Sequence, residues 1–357
     1  MNKTLLLVVS LLLLVCLNAS AKIWRVNNIV GIAADFTTLQ AAHDAATSGD
    51  TLHIEGSPNT YNSLQVTKKL IFIGPGYYLD ENPNTQAFNQ SAKLSSLDFR
   101  AGSSGSIVMG LDFNGGTLYV YTNDIVIRRN RFCSESGTTI DYSVGVISLN
   151  YNINIGTSAP VNNVIISENF GVRVDINYAS TGVLISNNYL AWNGYGGDNT
   201  TGQCLVFQAN AVVIVQNNII RRGRITAYNS NFSNNIMIAG TFEGTGNLVS
   251  NNLSNAAQFG TTNGNQANVV MTNVFVGAGT GISSDGQWKL KAGSPAIGAG
   301  YGSTAQNPID VGMYGGTTAY KLSGQPPVPA IYFMENQPIG SNSDPVDVTI
   351  KVKSVGN

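Results

Sequence analysis

An eight-residue pattern recurs down the middle of the chain: apolar, spacer, apolar, two further residues, Asn, spacer, and then usually apolar. It reads IVIRRNRF around Asn130, VIISENFG around Asn169, VLISNNYL around Asn188 and VIVQNNII around Asn218. It continues as SNFSNNIM around Asn235, NLVSNNLS around Asn252 and NVVMTNVF around Asn273. Successive Asn residues are 39, 19, 30, 17, 17 and 21 positions apart. Most spacings lie near 20, the first equals two such units, and the third is one unit plus a loop. A period of about 20 residues marks a solenoid. Each unit is too short to bury a core by itself, so units must stack.

The local pattern selects the kind of solenoid. The residues before each Asn alternate apolar and polar with period two and are rich in Val, Ile and Phe, as strands are. No unit contains a helix-length amphipathic stretch. The chain has 11 Pro, but none falls between 161 and 294, as a continuous hydrogen-bonded ladder requires. Asn tolerates the dihedrals of a tight corner. Its amide both donates and accepts, so Asn residues in successive coils can bond in a column. The expectation is a parallel β-helix with an internal Asn ladder.

Residues 1–21 read as a secretory signal: Lys3, an apolar run from Leu5 to Leu17, and the small-x-small site Ala19-Ser20-Ala21. Cys16 sits in a poor lipobox. No later segment is apolar enough to span a membrane. The protein is therefore expected to be secreted, extracellular or on the cell surface, with the periplasm as the alternative. Charged residues make up 11% of the chain, 19 basic against 20 acidic. Nucleic acid is not an expected partner, since that needs a basic excess. After the leader only Cys133 and Cys204 remain, and they read as small buried hydrophobes more readily than as a disulfide.

Three stretches resemble the right-handed parallel β-helix, or pectin-lyase-like, superfamily in the secreted form found in Bacteroidota. One is FTTLQAAHDAATSGDTLHIEG (36–56) with YNSLQVTKKLIFIGPG (61–76), similar to the opening of such proteins. Another is the Asn repeat. The last is WKLKAGSPAIGAG (288–300) with DVGMYGG (310–316), similar to the closing segment of choice-of-anchor proteins. The resemblance implies an all-β fold, and it implies no single activity, because the superfamily holds lyases, hydrolases, adhesins and non-enzymes.

The expected layout is a β-helix of roughly ten coils over 22–323 and a linker and β appendage over 324–357. A capping helix over 36–48 opens the β-helix, with Thr37 and Gln40 at capping-box spacing, Leu39, Ala42 and Ala46 on one apolar face and Gly49 after its end. Leu52 and Ile54 should point inward and His53 outward. His43 and His53 lack the company a metal site needs. The Gly-rich stretch 303–323 should end the stack, QPPVP (325–329) should be a stiff linker, and two alternating segments over 330–357 should pair.

Function in such a fold belongs to the outer faces and loops. Counting four and six residues past each Asn places Arg173 and Asp175, then Trp192 and Gly194, then Arg222 and Arg224, on one stripe overhung by the loop 193–202 with Tyr195. Aromatic rings stack on sugars, and Arg forks grip carboxylates or sulfates. Arg173, Asp175, Trp192, Tyr195, Arg222 and Arg224 are therefore the candidate carbohydrate-binding residues. The alternative is an ordinary surface ion pair and a partly buried Trp. No catalytic residue is assigned: the acids between 101 and 290 are scattered singly, which suits neither a calcium-assisted lyase nor a two-carboxylate hydrolase. The leading expectation is a non-catalytic binder of extracellular or surface polysaccharide, with no cofactor or metal. The alternatives are a polysaccharide lyase or hydrolase, and a structural or adhesive scaffold.

Overall fold

The computed structural model describes residues 21–113, 116–132, 152–156, 159–191, 202–337 and 345–354. Parallel strands stack coil on coil. The first sheet has ten strands, one per coil, from Ile23–Val26 and Thr51–Ile54 at one end to Asn231–Ser233 and Leu248–Ser250 at the other. A second sheet of short strands follows the Asn corner: Tyr189–Leu190, Ile219–Ile220, Ile236–Met237 and Leu253–Ser254. The third sheet runs from Leu64–Val66 and Ser96–Phe99 to Arg224–Thr226 and Thr241–Glu243. The long strand Phe170–Ile176 joins the last two, pairing first with Tyr189–Leu190 and then with Gln203–Phe207. The fold is a parallel β-helix.

Inward residues recur at equivalent positions and make one continuous core. Leu52, Phe72, Val108, Ile127, Ile166, Ile185, Val215 and Phe232 line it from the first sheet, all fully buried. Each such side chain contributes about 1.5–3 kcal/mol on leaving water. His53 lies on the outer side of its strand, and burial of its ring lowers its pKa.

The Asn ladder is continuous from Asn130 through Asn169, Asn188, Asn218, Asn235 and Asn252. Each Nδ2 donates to the next Oδ1 at 2.9–3.2 Å. Each of these backbone N–H groups also donates to the following Asn Oδ1 at 2.9–3.0 Å. Asn273 is not a rung, contrary to the sequence pattern: it ends the 3-10 turn Met271–Asn273. The last rung is Asn265, whose Oδ1 accepts from Asn252 Nδ2 at 3.0 Å. Its segment TTNGNQ lacks the alternation of a strand, so the pattern passes over it. Asn265 Nδ2 closes the column on the carbonyls of Val249, Phe259 and Thr262.

The left-handed corner residue is the one before each rung. Arg129, Glu168, Asn187, Asn217, Asn234 and Asn251 have φ between 54° and 58°, a region that Asn tolerates better than most residues. The two Asn of each Asn-Asn pair thus do different work: the first turns the corner and the second builds the ladder.

The helix spans Leu39–Ala45, shorter than 36–48. Thr38 rather than Thr37 caps it, its Oγ1 accepting from Ala41 N at 3.2 Å. Ala46 is already extended, so Gly49 (φ 99°) serves a separate turn. Leu39, Ala42 and Ala46 do join the core. His43 is buried, and its Nε2 accepts from Thr67 N at 3.2 Å.

The segment 296–325 does not simply end the stack. It folds back along the outside of the Asn corner, against the order of the coils. Asn251 Nδ2 donates to Ala299 O (3.1 Å), Asn234 Oδ1 accepts from Tyr301 N (2.7 Å) and Asn217 Nδ2 donates to Asp310 O (3.3 Å). Asn187 Nδ2 donates to Met313 O and Gly315 O (3.1 and 2.7 Å), and Arg129 Nη1 to Gln325 O (2.9 Å). This segment covers a second apolar cluster on the outer side of the second sheet, where Phe170, Tyr189, Ile219, Ile236 and Leu253 stack. Trp288 packs on Tyr189, and Gly312 comes so close that a Cβ there would meet Ile236 Cδ1 at 2.7 Å. The ribbon Pro329–Asn336 with Val348–Ser354 then pairs antiparallel beside the first coils, where Ala87 N donates to Ile331 O at 2.8 Å.

Candidate functional site

The three outer faces differ in chemistry. The second sheet is covered by the closing segment. The later strands of the first sheet present aliphatic and small neutral residues. Among the described residues, charged and aromatic groups gather on the third, which no described segment covers.

There, two outward columns run side by side. One passes through Gln65, Asp98, Tyr119, Asn154, Asp175, Val206, Thr226 and Glu243. The other carries Arg173, and further on Gln203, Arg224 and Thr241. Period-two alternation produces both, because Leu97, Leu118, Ile153, Val174, Leu205 and Ile225 point into the core between them. Arg173 grips Asp175 with Nε–Oδ1 at 3.0 Å and Nη2–Oδ2 at 2.9 Å, and Nη2 also donates to Gln203 Oε1 at 3.1 Å. Arg224 stands 4.0 Å from Glu243.

Arg173 and Arg224 therefore share an outward column, separated by Gln203. The four-and-six count does not hold for every coil. Phe170–Ile176 runs straight through the corner, whereas the next coil reaches Gln203 only after residues 192–201, and a bulge lies between Gln203 and Leu205. Arg222 falls before the strand Arg224–Thr226 and is buried. Its charge, with those of Arg173 and Asp175, acts on the thiol of Cys204, which burial pushes up to about 12. Trp192, Gly194, Tyr195 and Cys133 lie outside the described residues.

Sequence reasoning missed the first part of this face. Arg100 lies 3.7 Å over the Tyr121 ring and donates to Asp98 Oδ2 at 3.0 Å, while Tyr119 and Tyr121 stack at 6.1 Å. These residues precede Asn130, where the repeat that serves as a ruler begins. Their alternation in SLDFR and TLYVY was the available signal. A polar hollow of about 240 Å³ was also missed; Tyr78, Asp80, Glu81, Asn89, Lys93 and Arg131 line it. Arg131 lies 4.7 Å over Tyr78 and holds the buried Asp112 through Nε and Nη2. Among the described residues, no three His, Cys, Asp or Glu side chains group as metal ligands.

No family model matches the chain, and no curated protein matches it. Among solved structures, the chain is similar to the crystal structure of pectate lyase Pel9A, with 13% identity, a TM-score of 0.36, and coverage of 83% of this chain and 97% of that one.

Proposed function

We propose that this protein binds extracellular or surface polysaccharide on the outer face of its third sheet, without cleaving it. The observation that carries this reading is the arrangement of planar groups on that face. The Arg100–Tyr121 stack and Tyr119 stand on two adjacent coils, and the Arg173–Asp175 pair and Gln203 on two more, with the coil of Asn152–Ile155 and its polar Asn154 between them. Coils repeat every ~4.8 Å, so such a face offers a sugar chain rings to stack on and hydrogen-bonding groups in register. Asp98 and Asp175 are each held by a guanidinium on their own strand or its end, which favours binding over proton transfer. Arg224 offers a further cation for an acidic sugar.

A glycan array run beside reducing-end and unsaturated-product assays tests this. Binding without product is the expected result. Turnover of any polymer at ordinary enzyme rates would replace the reading with a lyase or hydrolase.

An adhesive scaffold is the second reading. The C-terminal ribbon favours it, because Ile331, Met334, Val348, Ile350 and Val352 are all exposed on it. A two-stranded ribbon is marginal by itself in water, and an exposed apolar face of this kind marks a protein contact.

A further inference from the structure

We infer that the proposed glycan face has a closed head: a hollow between the capping helix and the first two coils of the third sheet, which takes the neutral terminal residue of the bound chain. This rests on the glycan reading of that face and adds an end and a direction to it. The hollow measures about 450 Å³, within the range of small-ligand sites. Gln40 and Asp44 line it from the helix, and Ser63, Gln65, Ser96 and Asp98 from the coils.

Both outward columns of the third sheet begin inside this hollow. Gln65 pairs with Asp98, and Asp98 with Tyr119. Ser96 pairs with Thr117, in the column that continues to Asn152 and Arg173. Leu64–Val66 is the terminal strand of its sheet. Val66 O accepts from Arg100 N on the next coil at 2.9 Å. The N–H of the following residue, Thr67, therefore points the opposite way, off the free edge. His43 of the helix takes it there, its Nε2 accepting from Thr67 N at 3.2 Å. The helix thus stands at the free edge of the sheet. A chain lying along the columns meets it and stops, so the residue in the hollow is a chain end.

The lining selects an uncharged, hydroxyl-rich ligand. Gln40 Nε2 donates to Asp44 Oδ1 at 2.8 Å, and His43 Nδ1 stands 3.3 Å from the same oxygen. Because His43 Nε2 is an acceptor, the ring proton is on Nδ1 and also turns to Asp44. Arg100 Nη2 donates to Asp98 Oδ2 at 3.0 Å. Each carboxylate is thereby oriented through one oxygen and keeps the other for a ligand, and sugar hydroxyls are donors that suit both. Among the described residues no Lys or Arg lines the hollow, so a uronate or sulfate there would face two carboxylates. Tyr119, next in the column after Asp98, presents its ring to the following sugar. Arg173 stands three coils beyond Ser96, about 14 Å away, so acidic groups belong further along the chain and not at its end.

Titration calorimetry with a short and a long member of the xylose, mannose, galactose and galacturonate homopolymer series tests this. In a neutral series that binds, one protein should bind per chain at both lengths. Gln65→Ala should weaken that binding about tenfold, with an unchanged melting temperature, since Gln65 is exposed. Several proteins on each long chain, or wild-type affinity in Gln65→Ala, would overturn the end site and leave the face reading standing. Binding confined to galacturonate, or a galacturonate series that loses as much on Gln65→Ala as a neutral one, would overturn the neutral end. No binding to any series or to any array glycan would remove the glycan face, and this inference with it.

Discussion

Arg129 Nε donates to Glu168 Oε2 at 2.7 Å, and both side chains are almost fully buried. They occupy successive left-handed corners, in the column that Asn187, Asn217, Asn234 and Asn251 continue. Two non-Asn residues thus hold a strained conformation next to each other, and an ion pair under the closing segment joins them.

Removing one partner leaves the other charge buried and uncompensated. Arg129→Ala and Glu168→Ala should each cost about 3–5 kcal/mol. Replacing both with Asn suits the corner conformation and removes both charges, so the double variant should lose less than either single one. Denaturant unfolding of the three variants measures this. A double variant as unstable as the sum of the singles would show that the pair contributes nothing as a pair.

Asn188→Ala removes a rung whose Nδ2 serves Ile166 O, Ser186 O and Asn218 Oδ1 and whose Oδ1 serves Asn169. Each buried group left without a partner costs about 1–3 kcal/mol, so the loss should reach at least 3 kcal/mol. Asn273→Ala lies off the ladder and should change stability by less than about 0.5 kcal/mol. Similar losses at both sites would contradict the placement of the last rung at Asn265.

Trp288→Ala should cost about 3–5 kcal/mol, because the indole is buried between Tyr189 and Phe275. Proteolysis should then cut first within 296–325, where the strap depends on that packing. Cleavage elsewhere first would show that the strap is held independently of Trp288.

Burial acts to raise the Asp50 carboxyl, but the N–H donors of Lys22, Thr47 and Trp24 and the Thr47 hydroxyl outweigh it and hold the pKa at about 2. The unfolded value is about 3.9. The folded value is the lower one, so the stability from Asp50 is present above about pH 4 and is lost as pH falls toward 2. Asp50→Asn should be less stable at pH 7 and should show a shallower loss between pH 4 and 2. An unchanged acid slope would remove Asp50 as a source of that dependence.

Arg224→Ala should weaken glycan binding about tenfold, or about 1.4 kcal/mol, without loss of stability, since Arg224 is partly exposed and only 4.0 Å pairing links it to Glu243. Titration calorimetry against the best array ligand reads this. Unchanged affinity would move the glycan to the Tyr119–Tyr121 end of the face or to the hollow around Lys93 and Arg131.

Alternation and period were enough to read the stacked coils, the buried faces of Leu52 and Ile54, and the rungs from Asn130 to Asn252. Both are local properties, repeated in every unit. Asn265 escaped because its coil is only 13 residues long and carries no strand signature. The placement of the candidate residues was legible in part: Arg173, Asp175 and Arg224 reach the outer face, but Arg222 precedes the strand Arg224–Thr226 and is buried, because the distance from the Asn corner to the third-sheet strand differs between coils.

By itself the sequence determined that the chain must stack, since units of about 20 residues with period-two alternation have no other way to bury their apolar side. Only the tertiary structure decided which outer face the closing segment covers. A distant segment, 296–325, returns to cover the second sheet by bonding to the first Asn of each corner pair, and no local pattern records which residues a returning chain will meet. With that face closed, the charged groups of the third sheet stay on a face that no described segment covers.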